Sequence, residues 1–290
     1  MIMTIDKSLI KAMQKLLAKE IASARLDAEV LLGFVLKQPR EYLLAHTEKS
    51  LKPAEQKMYS TLIGRRSRFE PIAYLIGRRD FYGLPIRVDS RVLIPRPETE
   101  LLVEEVLKIA LQRPLKSRPM AILDIGTGSG AIALALAKNL SQAKIWASDA
   151  SADALYLAKK NASGLGLKIT FIKSDLLKNV PAGLIGGAIL IANLPYLDRA
   201  EIKDFPLAIK RGLKYEPPAA LFAGKRGTAL YEELFRQLNR FETRPAYLLI
   251  EIGSHNWRDF LQLAKKYFPA ASIEVIKDLA RRPRVLKIKF

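Results

Sequence analysis

The 290-residue sequence contains no cysteine. Disulfides and thiolate metal sites are therefore excluded, and a reducing, cytoplasmic setting is expected. Histidine is nearly as scarce: His46 and His255 stand far apart and isolated, so no metal site is expected. Long hydrophobic runs are missing as well. The apolar stretch that ends at Leu197 carries Asn193 and Pro195 and falls short of a bilayer span, so no membrane association is expected. The N-terminal region lacks an apolar core followed by a small-residue cleavage site, and no secretory signal is expected. Neither a Ser/His/Asp pattern nor a P-loop stands out. Acidic residues run short, with 48 Lys and Arg against 29 Asp and Glu, for a net charge of +19. Residues 1–78 hold 14 basic and 8 acidic side chains, or +6, which leaves +13 for the remainder. The charge is spread rather than gathered in an arm. It fits either a nucleic-acid or acidic partner or ordinary solvated faces rich in lysine and arginine.

With 49% hydrophobic residues the chain can bury a full core, and its length suits two domains of about 150 residues each. "DKSLIKAMQKLLAKEI", "ARLDAEVLLGFVLK" and "AEQKMYSTLIGRRSRF" place apolar residues at three- and four-residue spacings, which predicts a small helical bundle over residues 1–77. "FYGLPIRVDSRVLIP" has short β-type runs around Gly83-Leu84-Pro85 and Asp89-Ser90, a hairpin within a linker over 78–96. A helix over Glu98–Gln112 opens a third region, 97–290, with acidic residues in its first turn where the helix dipole favours them. From there "MAILDIG", "AKIWASD", "KITFIKSD", "GAILIAN", "AYLLIEIG", "ASIEVIKD" and "RVLKIKF" read as strands, most of them separated by helical runs. Such alternation predicts an α/β fold with a parallel sheet covered on both faces. The short "LARRP" link adds an antiparallel hairpin at its end.

Two motifs in this region carry chemistry. "LDIGTGSGAIAL" runs from a strand through Gly126, Thr127, Gly128, Ser129 and Gly130 into a helix, a loop that brings backbone close to a ligand. Gly126, Gly128 and Ala131 also satisfy the dinucleotide pattern. Acids at the ends of three successive strands favour a cationic nucleoside, S-adenosylmethionine, over a pyrophosphate. Asp124 is placed to hold the methionine ammonium or order the loop, Asp149 to accept from the ribose hydroxyls, and Asp175 to accept from the adenine amino group. The alternative reading of Asp149 and Asp175 is as helix caps. The second motif, "NLPY", ends the fourth strand across the sheet's switch point. A planar amide nitrogen is a poor nucleophile with two N–H donors, and the Asn193 oxygen and Leu194 carbonyl supply two acceptors for them. Tyr196 can stack on the planar group and face a sulfonium methyl. Orientation of this kind is worth at most roughly 7–11 kcal/mol.

The chain resembles the HemK/PrmC family, methyltransferases that modify the glutamine amide of the GGQ motif in peptide-chain release factors. "RLDAEVLLGFVLK" is similar to the family's helical N-terminal domain, "PIAYLIGRRDFYGLPIRVDSRVLIPRPETELLVE" to its most distinctive segment, and "LDIGTGSGAIALALA" to its cofactor loop. "EPPAALFAGKRG" and "LLIEIG" resemble later blocks. The resemblance implies a Rossmann-like class I S-adenosylmethionine-dependent methyltransferase sheet with an N-terminal helical bundle that docks the protein substrate and a connecting β-hairpin. It implies that Asn193, Leu194, Pro195 and Tyr196 act on the substrate amide, with Arg96, Pro97, Glu98 and Thr99 in the active-site wall. Asn193 and the Leu176 side chain join the cofactor set, and the enzyme is expected to work as a cytoplasmic monomer without a required nucleic acid. Several positions depart from the family pattern. Leu194 stands where the family usually has proline; it keeps the carbonyl but adds an N–H and bulk. Pro195 still holds Leu194 extended, while Asn193 loses that restraint, worth on the order of 0.4–1 kcal/mol. An aspartate is missing from "IGGAILIAN", an acidic residue before the glycine of "KRG", and a glycine and an aspartate from "DLARRPRVLKI". Activity is expected to survive. The alternatives are an adenine or cytosine amino-methyltransferase on DNA or RNA, and an inactive cofactor-binding relative.

Overall fold

The computed structural model describes residues 3–112, 120–224 and 227–290. They form two compact units, Met1–Arg78 with Asp204–Tyr215, and Arg79–Lys203 with Glu216–Phe290. Relative to the expected boundaries, the helical unit takes in Asp204–Tyr215, and nearly all of the hairpin groups with the larger unit.

The first unit contains α1 (Ile5–Leu17), α2 (Ala24–Leu36), α3 (Arg40–Ala45), α4 (Pro53–Arg66) and α5 (Ile72–Ile76). Their apolar stripes meet in a core that includes Ile5, Leu16, Leu31, Leu32, Leu43 and Leu62. Thr4 caps α1, its hydroxyl accepting the Lys7 N–H at 3.3 Å, and Pro53 opens α4, where its missing N–H costs nothing. Buried Asp27 of α2 accepts from the Arg66 guanidinium of α4 at 2.7 Å.

The second unit begins with β1 (Arg78–Phe81) and β2 (Leu84–Arg87), a two-stranded sheet. The turn falls at Tyr82-Gly83, both with positive φ (48° and 72°), rather than at Gly83-Leu84-Pro85. Two left-handed residues give the hand of turn that matches strand twist. Pro85 lies inside β2, where an edge strand tolerates its missing donor. A short 3-10 turn, Pro97–Thr99, precedes α6 (Glu100–Leu111). The sheet region follows as β3 (Ala121–Ile125), α7 (Ala131–Asn139), β4 (Lys144–Asp149), α8 (Ala152–Leu165), β5 (Thr170–Lys173) and β6 (Ile189–Ala192). After α9 (Leu207–Leu213), which belongs to the first unit, come α10 (Ala229–Leu238), β7 (Tyr247–Glu251), α11 (Trp257–Tyr267), β8 (Ser272–Lys277) and β9 (Pro283–Lys289).

Strand order is β5-β4-β3-β6-β7-β9-β8. The first five run parallel; β9 is antiparallel to both neighbours, so the sheet ends in the expected hairpin. All four residues of β6 are buried, as its unbroken apolar run requires of a strand covered on both faces. From β3 the chain winds outward through β4 and β5, then returns to β6 on the other flank. That reversal opens a crevice at the carboxyl ends of β3 and β6. In the β8–β9 turn Arg281 takes a left-handed φ of 58°, within the segment that lacks the family's glycine. Asp278 secures that turn by accepting from the Arg282 N–H and the Arg284 guanidinium, both at 2.9 Å.

Gly33 lies inside α2, where alanine ordinarily stabilises by about 0.5–1 kcal/mol. Here a Cβ would sit 2.8 Å from the Gln38 carbonyl, which is backbone and cannot swing aside. Gly33→Ala is therefore expected to lower the thermal unfolding temperature, reversing the propensity effect; an unchanged or raised midpoint contradicts the packing.

Candidate active site

The glycine loop leaves β3 and is pinned to β4. The Gly126 and Thr127 N–H groups both donate to the Ser148 carbonyl, at 2.8 and 2.9 Å. Asn161 of α8 holds it from another side, its Nδ2 donating to the Ser129 carbonyl at 2.9 Å and to the Arg87 carbonyl at 3.0 Å. Gly126 has φ 72°, and a Cβ there would fall 2.6 Å from Leu194 Cδ2. The end of β6 therefore presses directly on the first glycine of the loop.

A cavity of about 330 Å³ lies over these strand ends. Among the expected cofactor residues, Gly126, Thr127, Gly128, Ser129, Asp149, Asp175, Leu176 and Asn193 line it. Asp149 accepts the Gly128 N–H through Oδ2 and the Ser151 N–H through Oδ1, both at 2.9 Å. Burial pushes its carboxyl upward, against those N–H bonds. The cap of α8 is Ser151, whose hydroxyl accepts the Ala154 N–H, so Asp149 is left to serve the cavity. Asp175 is exposed and pairs with Lys178 at 2.5 Å. Leu176 beside it is buried with a left-handed φ of 54°, a backbone strain located at the cavity wall.

Two expected cofactor residues are placed elsewhere. Gly130 starts α7, with a prospective Cβ 3.2 Å from Ala158 Cβ, so it serves close packing against α8. Asp124 is 1% exposed and outside the cavity lining; its Oδ2 accepts the Thr127 hydroxyl at 2.6 Å. It orders the loop from beneath rather than reaching a ligand ammonium. Its Oδ1 is buried without a hydrogen-bond partner, and burial pushes the carboxyl up to about 7.

On the substrate side, Arg96, Thr99, Asn193, Leu194 and Pro195 line the cavity, whereas Pro97 and Glu98 are exposed beyond it. Arg96 is clamped by an ion pair of 2.5 Å to buried Glu216, which also accepts the Ile94 N–H at 3.1 Å. Asn193 Nδ2 donates to Thr99 Oγ1 at 3.0 Å, and Thr99 in turn donates to Glu251 Oε2 at 2.6 Å. Tyr196 lies outside the cavity lining; its ring packs on the sheet core and its hydroxyl donates to Glu251 Oε1 at 3.1 Å. The ring expected to stack on a substrate amide here has its hydroxyl bound to Glu251 and its body against the sheet core. The N–H that Leu194 brings in place of proline donates to the buried Tyr231 hydroxyl at 2.9 Å, which donates to the Glu251 carbonyl at 2.8 Å. The extra donor is thus satisfied in the interior.

Glu251, Tyr231 and Glu216 escaped sequence reasoning. The available signal was a lone acid closing the apolar run "YLLIE", since a carboxylate there must be buried and hydrogen-bonded. Among the described residues no cluster of three or more His, Cys, Asp or Glu could hold a metal ion, and no helix is long and apolar enough to cross a membrane.

The residues present fit S-adenosylmethionine. The glycine loop is held open, Asp149 keeps lone pairs for two hydroxyls, and Asp175 and Leu176 form the far wall. Gly126→Ala is expected to weaken cofactor binding at least about tenfold by titration calorimetry, through the left-handed φ and the Leu194 clash. Adding Leu194→Ala should restore part of it; no restoration contradicts the contact. Because the Asp124 carboxyl titrates higher folded than unfolded, the stability it contributes is complete below about 4 and lost as pH rises through about 7. Asp124→Asn should therefore gain thermal stability relative to the wild type across that window; a difference independent of pH contradicts the assignment.

Residues 8–77 match the PrmC N-terminal domain and residues 122–216 a methyltransferase domain. The chain is 36% identical to the release factor glutamine methyltransferase of Koribacter versatilis over 98% of both chains. It is 37% identical to that of Buchnera aphidicola over 98% of this chain and 97% of the other. The enzyme of that name from Escherichia coli K12 is 35% identical over 95% of each. Among solved structures, the hMettl16 catalytic domain in complex with the MAT2A 3′UTR hairpin 6 superposes with a TM-score of 0.57 at 15% identity, covering 82% of each chain, a likeness of fold. With the cavity, the glycine loop and near full-length identity in agreement, the chain belongs to the release factor glutamine methyltransferase family.

Proposed function

We propose that this enzyme methylates the side-chain amide nitrogen of the GGQ glutamine in a peptide-chain release factor. The observation that carries the reading is the juxtaposition, in one cavity wall, of the Asn193–Leu194 strand end with the Gly126–Ser129 loop. S-adenosylmethionine supplies an electrophilic methyl group when bound. Asn193 Oδ1 carries no hydrogen bond from the described residues, because the amide's other end is spent on Thr99. The Leu194 carbonyl has only a 3.4 Å approach from the Tyr231 hydroxyl, whose proton is committed to the Glu251 carbonyl. Both oxygens are therefore available to the two N–H groups of a primary amide. Held by them, the amide nitrogen would be oriented for transfer of the methyl group that S-adenosylmethionine would supply, the C–N bond forming as the donor's C–S bond breaks. One N–H proton, made acidic by that bond, leaves to water, so no strong base is needed beforehand. The helical unit is the docking element for the protein substrate. The basic surface steers an acidic face of that substrate in the cytoplasm, an attraction that salt weakens.

The test is mass spectrometry of the GGQ peptide after incubation of enzyme, methyl donor and purified release factor. One added methyl on the glutamine is expected; methyl label found only on added DNA or RNA overturns the reading. Asn193→Ala should lower kcat by about a hundredfold through misplacement of the nitrogen, with cofactor affinity nearly kept. Equal losses in both instead assign Asn193 to cofactor binding.

A further inference from the structure

The buried acid behind the strand end determines more than packing. Glu251 closes β7, is 2% exposed, and sits one residue beyond the Ile250 that pairs with Ala192 in β6. Its two carboxylate oxygens face two hydroxyls, Thr99 at 2.6 Å and Tyr196 at 3.1 Å. A carboxylate accepts and cannot donate. The single Thr99 proton must therefore point at Glu251, which leaves the Thr99 oxygen as an acceptor only. Facing that oxygen at 3.0 Å, Asn193 can present only its NH2 end. Its carbonyl oxygen is then left as the other end of the amide, the end a substrate N–H requires. Reversing the amide would set two acceptors against each other beside a buried charge, an arrangement that costs far more than a hydrogen bond gains.

We infer that Glu251 is a positioning residue which, through Thr99, fixes the amide of Asn193 with its oxygen toward the substrate. The inference rests on the proposed glutamine methylation. The lock is one-directional because every proton in the relay has one possible destination. Tyr196 belongs to the same lock: its hydroxyl occupies the second carboxylate oxygen, so Glu251 cannot rotate to release Thr99 without breaking another bond. Burial raises the pKa of this carboxyl above the ordinary carboxylate range; the hydrogen bonds from Thr99 and Tyr196, and after them the charge of Arg284, act against that rise and favour the ionised, accepting form.

Glutamine at position 251 has one oxygen and one NH2, so it can donate to Thr99 and let Thr99 donate onward. Both orientations of Asn193 then become accessible. Glu251→Gln is expected to lower kcat about tenfold, the worth of one misdirected hydrogen bond, while KM for the methyl donor and the unfolding temperature stay close to wild type. Asn193→Asp discriminates further. With Glu251 intact, the aspartate sets a second acceptor against the Thr99 oxygen, and activity should fall at least about a hundredfold. With Glu251→Gln added, Thr99 can donate to that aspartate, and the double variant should be about tenfold more active than Asn193→Asp alone. Thr99→Val approaches from the other end: Glu251→Gln should cost nothing further in its background, and Thr99→Ser should restore activity. Losses that simply multiply, or a Glu251→Gln variant with unchanged kcat, overturn the lock. A wild type that leaves the GGQ glutamine unmodified refutes the proposed reaction instead. The lock is then read by NMR, through solvent exchange of the Asn193 side-chain NH2 protons, assigned by their loss in Asn193→Asp. Slow exchange in the wild type and fast exchange in Glu251→Gln support it; equal exchange in both overturns it.

Discussion

The arrangement of the site depends on the parallel pairing of β3 with β6, with Asp124 opposite Ile191 and Ile125 opposite Ala192. That register makes the two strands end together, so the loop after β3 and the turn after β6 emerge side by side. The Leu194 side chain then meets Gly126 at a distance that no Cβ would allow. The methyl donor's loop and the acceptor's strand end are coupled by direct packing, and a shift in either is felt by the other. Productive transfer needs the nitrogen in line with the methyl group, so this contact sets how far the two reactants can drift apart.

In a chain of net charge +19, three buried carboxylates order the framework of the site. Asp124 steadies the glycine loop through Thr127, Glu216 holds Arg96 and the Ile94 N–H, and Glu251 gathers the hydroxyls of Thr99 and Tyr196. Glu216 and Glu251 are removed from water and compensated by hydrogen bonds or an opposite charge, the condition for a buried acid to persist as a carboxylate, whereas Asp124 keeps one oxygen without a hydrogen-bond partner and its carboxyl is pushed up by burial. Glu105 follows the same rule away from the site, joining α6 to β9 through Lys287 at 3.2 Å. Such groups are costly to break because the remaining partner stays buried. They confer direction more than stability, since a carboxylate dictates where every neighbouring proton must point.

Leu194, which stands where the resemblance puts a proline, shows how the fold accommodates an extra N–H and side chain at this bend. Proline would leave no N–H at this bend; leucine brings one into an interior where an unsatisfied donor is expensive. The Tyr231 hydroxyl accepts it and donates its own hydrogen bond to the Glu251 carbonyl. The added side chain is 5% exposed, packed on the glycine loop and the sheet core. Both are thereby built into the interior, and the Leu194 carbonyl stays available at the cavity.

The sequence by itself determined the elements. Apolar runs of strand length became β3 to β9, apolar residues at helical spacing became the bundle, and glycines at 126, 128 and 130 marked the loop. These follow from short-range periodicity and backbone sterics, which a linear string carries. Asn193 and Asp149 were legible for the same reason, each being a polar residue at the end of an apolar strand. What only the tertiary structure decided was partnership across distance. Thr99, Asn193, Tyr196 and Glu251 meet from separate segments. Asp124 turned inward and Tyr196 gave its hydroxyl to a buried acid. Hydrogen-bond direction depends on which donors and acceptors the fold brings within about 3 Å, and no spacing along the chain specifies that.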